Sequence, residues 1–178
     1  MKTLGKIIAL AFVLFHSACE SDDPPPYVSC PDPKWKPVTI SANLTPEVRD
    51  YGDRTVYFSW SGSATSNLED KVNLALSHEA YNFDDNEPFD IQDGYFSLWS
   101  DDHQHTLNGT YTGRGYETNG QFVMEGVITV QSGTGKFAYE NASLSFSIGR
   151  IMPFSDPATE SEILIRGKLE VPVNVPEL

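Results

Sequence analysis

The sequence predicts an all-β fold, an antiparallel closed barrel of about eight strands, with a β-sandwich as the alternative. Three observations carry the expectation. From about Val38 onward apolar and polar residues alternate with period two, in runs broken at short intervals by Gly, Pro, Asn or Asp. Thirteen Gly and twelve Pro stand beside ten Phe, eight Tyr and three Trp, which favours turns and strands over long helices or disorder. No helix of crossover length separates any two runs, so a parallel sheet is excluded.

The runs follow in order. Val56, Phe58 and Trp60 alternate with Thr55, Tyr57 and Ser59. Val72, Leu74 and Leu76 alternate with Asn73, Ala75 and Ser77. Lys71 to Tyr81 can also be drawn as a short helix, but apolar residues at every second position leave no stripe of helical period, which favours the strand. Phe96 and Leu98 face away from Tyr95, Ser97 and Trp99. Thr106 to Tyr116 and Gln121 to Val130 are joined by Glu117-Thr118-Asn119-Gly120, whose Asn-Gly is the strongest hairpin signal in the chain. Leu144, Phe146 and Ile148 alternate with Ser143, Ser145 and Ser147, so one face is buried and the other wet. Ile163, Ile165, Gly167, Leu169 and Val171 form a last strand before Pro172 and Pro176. Seven or eight such strands stack as a sandwich or close as a barrel. Gly109, Gly113, Gly115, Gly126 and Gly167 lie inside the runs, where Gly weakens pairing, and point to the sharp coiling of a small closed barrel.

The N-terminus divides the chain into an export segment (1–18), an acidic Pro-rich tether (19–37) and the β domain (38–178). Lys2 and Lys6 precede the apolar run Ile7 to Phe15, too short to cross ~30 Å of hydrocarbon as a helix and therefore read as a signal peptide. The run ends at His16-Ser17-Ala18-Cys19, which resembles the lipobox of bacterial lipoproteins; ordinary cleavage after Ala18 is the alternative. The resemblance implies that Cys19 is acylated and becomes the N-terminus. The following Glu20-Ser21-Asp22-Asp23-Pro24-Pro25-Pro26 cannot form a helix or a ladder and serves as an extended spacer. Its Ser-Asp-Asp run resembles a surface-export signal of Gram-negative lipoproteins. The expected location is thus the bacterial cell envelope, as an outer membrane lipoprotein displayed outward, with the membrane held through the N-terminal lipid. Each acyl chain contributes ~0.8 kcal/mol per buried methylene, so release is negligible. An acylated Cys19 leaves Cys30 without an intramolecular partner, whereas a bridge between them is the outcome if acylation fails.

A net charge of −13 on twelve basic and twenty-five acidic residues excludes nucleic-acid binding through a basic surface.

Three stretches resemble proteins with the allene oxide cyclase and dirigent type of barrel, a group with many bacterial members. Gly126 to Ala138, ending in Gly133-Thr134-Gly135-Lys136-Phe137-Ala138, is similar to their strand followed by Gly-Thr-Gly-Arg-Phe-Ala. Gly94 to Asp102 leading into Leu107 to Gly113 is similar to a hairpin just upstream. Gly62 to Leu68 resembles an earlier Gly-x-Ala-Thr-His-Leu-Gly element, with Ser66 in place of His and Asn67 inserted. The resemblance covers roughly Val56 to Val171 and implies an eight-stranded antiparallel barrel. It assigns no chemistry, because related barrels host a cyclase, guides for radical coupling and other roles. Within the motif, Gly133 and Gly135 are expected to supply positive φ in a tight reversal and Phe137 to fold back as a plug.

No nucleophile elbow, metalloprotease helix or phosphate loop occurs, so no catalytic residue and no cofactor is assigned. Asp101, His103 and His105 are candidate metal ligands, against the reading of Asp101 to His105 as a polar hairpin turn. Asp84-Asp85-Asn86-Glu87, with Asp90 and Asp93, offers hard oxygens for calcium, or an acidic solvated loop. Tyr57, Trp99 and Tyr111, with Tyr95 beside them, are candidates to line a barrel mouth and stack on a sugar or flat hydrophobic ligand; ordinary packing is the alternative. Arg114, between Gly113 and Gly115, is a candidate polar anchor. The function expected is an envelope lipoprotein carrying a non-catalytic or ligand-binding barrel, with a cyclase or isomerase and a surface interaction module as alternatives. No feature specifies an oligomeric state. A cavity distinguishes these readings: an interior filled by side chains removes both the ligand-binding and the cyclase readings and favours the interaction module.

Overall fold

The computed structural model describes residues 34–84, 87–119, 121–151 and 160–171. The export segment, Cys19, the acidic spacer, Cys30, Asp85, Asn86 and Gly120 lie outside them. Nine strands are formed: β1 (Lys34–Leu44), β2 (Glu47–Asp50), β3 (Val56–Ser66), β4 (Val72–Ala80), β5 (Phe89–Trp99), β6 (Thr106–Thr118), β7 (Gln121–Gly133), β8 (Glu140–Ile151) and β9 (Ser161–Val171). All pairings are antiparallel, in the order β1-β9-β8-β7-β6-β5-β4-β3-β2, and β1 also pairs with β3. That last pairing closes eight strands into a barrel and leaves β2 as an extra strand on β3. The sandwich alternative is thereby excluded, and Lys71 to Tyr81 is strand rather than helix.

The alternation read from the sequence becomes inside and outside. Val72, Leu74, Leu76, His78 and Ala80 of β4 are buried, while Asn73, Ala75, Ser77 and Glu79 are only partly covered. On β8, Ala142, Leu144, Phe146 and Ile148 join one continuous core with Ile163, Ile165 and Leu169 of β9. In β5 a bulge between Ile91 and Gly94, with Asp93 at φ 53°, shifts the inward parity from Phe89 and Ile91 to Phe96 and Leu98. The β6–β7 hairpin turns in two residues, since Thr118 pairs with Gln121, and Asn119 adopts φ 52°.

Closure occurs along an interrupted edge. β1 meets β3 at Ile40↔Ser66 and Ser41↔Thr65, and β2 meets it at Glu47↔Ser59 through Asp50↔Val56. Both sets share one register, so β1 and β2 form a single edge of β3 that is unpaired over Ala42 to Pro46. Asn67 extends the short contact. Its Oδ1 accepts from Thr39 N–H at 2.8 Å, its Nδ2 donates to the Pro37 carbonyl at 3.0 Å, and its backbone N–H donates to the Thr39 carbonyl at 3.3 Å. The Ser41 and Thr65 hydroxyls lie 2.8 Å apart. Across the unpaired stretch, the Trp60 indole N–H donates to Ser161 Oγ at 3.1 Å.

Two boundaries differ from expectation. β1 begins at Lys34 rather than near Val38, and Pro37 is tolerated because only its carbonyl is used on the β3 side. β2 was not expected, because Glu47–Asp50 is exposed at every position and carries no alternation.

Coiling demands glycine where the interior is tightest. A Cβ on Gly109 would collide with the Thr129 carbonyl oxygen of the neighbouring strand, whereas one on Gly149 would meet nothing within 4 Å. Gly109→Ala is therefore expected to cost about 2 kcal/mol or more. Gly149→Ala is expected to be neutral or to stabilise by up to about 1 kcal/mol. Urea unfolding midpoints check this, and equal midpoints for the two variants would contradict the packing described.

Candidate functional site

The interior is packed with rings. Phe58 stacks on Trp60 (centroids 6.1 Å) and on Phe89 (6.2 Å), and Phe89 continues to Phe122 (5.6 Å). Into this column project two polar groups, His78 and Tyr111, which are 3% and 2% exposed. His78 Nδ1 and the Tyr111 hydroxyl are 2.8 Å apart, and His78 stacks on Phe58 at 5.2 Å. His78 Nε2 has no partner among the described residues. Burial lowers the His78 pKa to about 3 and raises that of Tyr111 above its ordinary range, so both are neutral. The pair is therefore uncharged at neutral pH, joined by one hydrogen bond.

The outer face of β3, β4 and β5 has a different character. Three rows run across it in register: Ser59, Ser77, Tyr95 and Thr110; Ser61, Ala75, Ser97 and Asn108; Ser63, Asn73, Trp99 and Thr106. Small side chains make a flat floor, and the aromatic rings of Tyr95 and Trp99 stand along one side. Ser97 Oγ donates to Asn108 Oδ1 at 2.8 Å, and Asn73 Nδ2 donates to Asp101 Oδ1 at 2.9 Å. The hydroxyls of Ser59, Ser61, Ser63 and Ser77 bond to no side chain or backbone among the described residues. Where the row that starts at Ser63 meets the unpaired seam, a groove of about 670 Å³ opens, lined in part by Ser41, Asn43, Ser63, Lys71, Asp101 and Glu162.

The candidates from the sequence are dispersed. Tyr111 does not line a mouth: it points inward, because Gly94 leaves room for its ring. Tyr57 and Trp99 lie on the outer face at opposite ends of the rows. Tyr57 packs near Tyr51 (6.4 Å) and under Arg49 (5.9 Å), and Trp99 stacks on His103 (6.2 Å, 14° between planes). Arg114 lies elsewhere, over a second outer groove of about 520 Å³, and donates to Glu125 at 2.8 Å. That hydrogen bond raises the Arg114 pKa and lowers that of Glu125, so the guanidinium is already engaged.

Asp101, His103 and His105 do not converge. Asp101 is held by Asn73, His103 lies against Trp99 with φ 59°, and His105 Nδ1 accepts from Lys136 N–H at 3.2 Å. No group of three His, Cys, Asp or Glu side chains among the described residues is arranged to hold a metal ion. Asp101 to His105 is a turn, in which Asp102 Oδ1 accepts from Ser100 Oγ and Gln104 N–H. Asp84 is paired with Arg54 at 3.4 Å.

In the Gly133 to Phe137 segment, Gly135 adopts φ 57° and Phe137 is fully buried at the end of a short 3-10 turn. Gly133 has no positive φ; it is glycine because a Cβ there would strike the Phe137 carbonyl oxygen. His78 and the serine rows were missed by residue-type motifs, although the parity of β4 and β3 already set His78 inward and Ser59, Ser61 and Ser63 outward. No family model, curated protein or solved structure matches the chain.

Two outcomes follow for the buried pair. Tyr111→Phe leaves His78 wholly unpartnered and is expected to cost about 1–3 kcal/mol. The unfolded chain protonates His78 below about pH 6.5, whereas the folded protein keeps it neutral down to about 3. Its contribution is complete above pH 6.5 and is lost as pH falls toward 3, at about 1.4 kcal/mol per pH unit. Urea midpoints of His78→Phe should thus fall less steeply than wild type between neutral pH and about pH 4; parallel slopes would contradict a neutral buried imidazole.

Proposed function

We propose that the chain is an outer membrane lipoprotein, anchored through acylated Cys19, whose barrel acts as a non-catalytic binding and interaction module through its outer surface. The observation that carries this reading is the filled interior. The rings of Phe58, Trp60, Phe89 and Phe122 occupy the barrel around His78 and Tyr111, and both described grooves carry outward-facing side chains above buried ones, Ala42, Ala64, Val72 and Ile163 in the larger and Phe146 in the other. An eight-stranded barrel is just wide enough for side chains to fill it. The acidic Pro-rich tether would hold that outer surface away from the bilayer, and the resemblance to allene oxide cyclase and dirigent barrels is one of scaffold, with no functional residue carried over.

Mass spectrometry of the membrane-extracted protein should find a diacylglyceryl thioether on Cys19. Cys19→Ser should move the protein from the membrane to the soluble fraction, and external protease should remove the barrel from intact cells. A free Cys19 thiol would overturn the anchor. Turnover of any substrate that depends on His78 or Tyr111 would overturn the non-catalytic reading.

A further inference from the structure

We propose that the seam groove and the serine rows beside it bind a neutral polysaccharide, with one sugar in the groove and a second stacked on Trp99. This rests on the reading of the barrel as a module acting through its outer surface, and it names the ligand class.

The shape of the groove selects the occupant. The seam is pinned at both ends, by Ser41↔Thr65 and by Glu47↔Ser59, with five residues between them, about 17 Å of strand, and the groove lies at its Ser41–Thr65 end. An inserted peptide strand needs about 4.8 Å to each neighbour, which edges drawn together at both ends do not leave. A compact ring entering from the side fits a groove of about 670 Å³. From Ser63 the row continues through Asn73 to Trp99, two strand spacings or about 10 Å away, roughly the step of two sugar units.

The chemistry selects the same ligand. A pyranose presents an apolar C–H face and an equatorial belt of hydroxyls. The indole of Trp99, held by its stack on His103, offers a flat apolar platform. Ser59, Ser61, Ser63 and Ser77 offer hydroxyls that both donate and accept and that no described residue engages. The three rows contain no charged residue, on a chain whose net charge is −13. In the groove itself Asp101 and Glu162 outnumber Lys71, a surplus of negative charge that disfavours an acidic glycan.

The test is affinity electrophoresis of the full acylated chain in detergent, through native gels cast with mixed-linkage β-glucan, galactomannan, α-mannan or, for comparison, polygalacturonate. Retardation is expected in at least one neutral gel and not in polygalacturonate. Trp99→Ala should weaken the affinity about tenfold. Ser63→Tyr, at an exposed position, should fill the groove and weaken it similarly without touching the core. Val127→Ser, on the far outer face, should leave it unchanged. No retardation in any neutral gel, retardation by polygalacturonate alone, or retardation indifferent to Ser63→Tyr would each overturn the assignment. Such a failure with Cys19 acylated and no turnover at His78 leaves the surface-module reading standing, whereas turnover at His78 removes both.

Discussion

The fold depends on β1 pairing with two strands at once. Against β9 it is held along its whole length, from Lys34↔Val171 to Leu44↔Ser161. Against β3 it has two direct pairs, and the rest of that edge is completed by β2 and by the Asn67 side chain. Without this contact the sheet would have two free edges and its interior face would lie open. Closure is thus made by the shortest ladder among the described residues, and the larger described groove lies at one end of its unpaired stretch.

Interior and exterior carry separate properties on the same strands. Inward positions alternate large rings with glycines, so that Phe89 lies against Gly115 and Tyr111 against Gly94. That interdigitation buries His78 and Tyr111 and keeps both neutral. Outward positions in the three rows on β3 to β5 are mostly small and polar, interrupted by Tyr95 and Trp99. At the proposed site, a packed core behind this face would hold the hydroxyls and rings at fixed spacing, with little conformational entropy to lose on binding.

Most of the fold was legible in the sequence where one physical rule dominated. Serine alternating with Leu144, Phe146 and Ile148 has one solution on a half-buried strand, and Asn119 favours the positive φ that a two-residue hairpin requires. Legibility failed where tertiary contact decided. β2 exists only because β3 offers an open edge in register. The Asp93 bulge changes parity inside β5, which no periodicity anticipates. Tyr111 shares its parity with Gly109 and Gly113, a set that in sequence suggests a barrel mouth; the same glycines admit the neighbouring backbone at Thr129 and Glu125. Of the candidate site, Trp99 was visible as an outward aromatic, while the serine rows emerge only when three strands are laid side by side.

Residue-resolved hydrogen exchange of the full chain tests the seam most directly. Amides of Ala42–Leu44 and Trp60–Ala64 that face across the gap should exchange much faster than those facing β9 and β4, while β6 and β7 remain uniformly protected. They should slow when a neutral polysaccharide that retards the protein is added. Uniform protection across the seam, or fast exchange at Ile40 and Ser41 as well, would contradict a barrel closed by two pairs and opened over five residues.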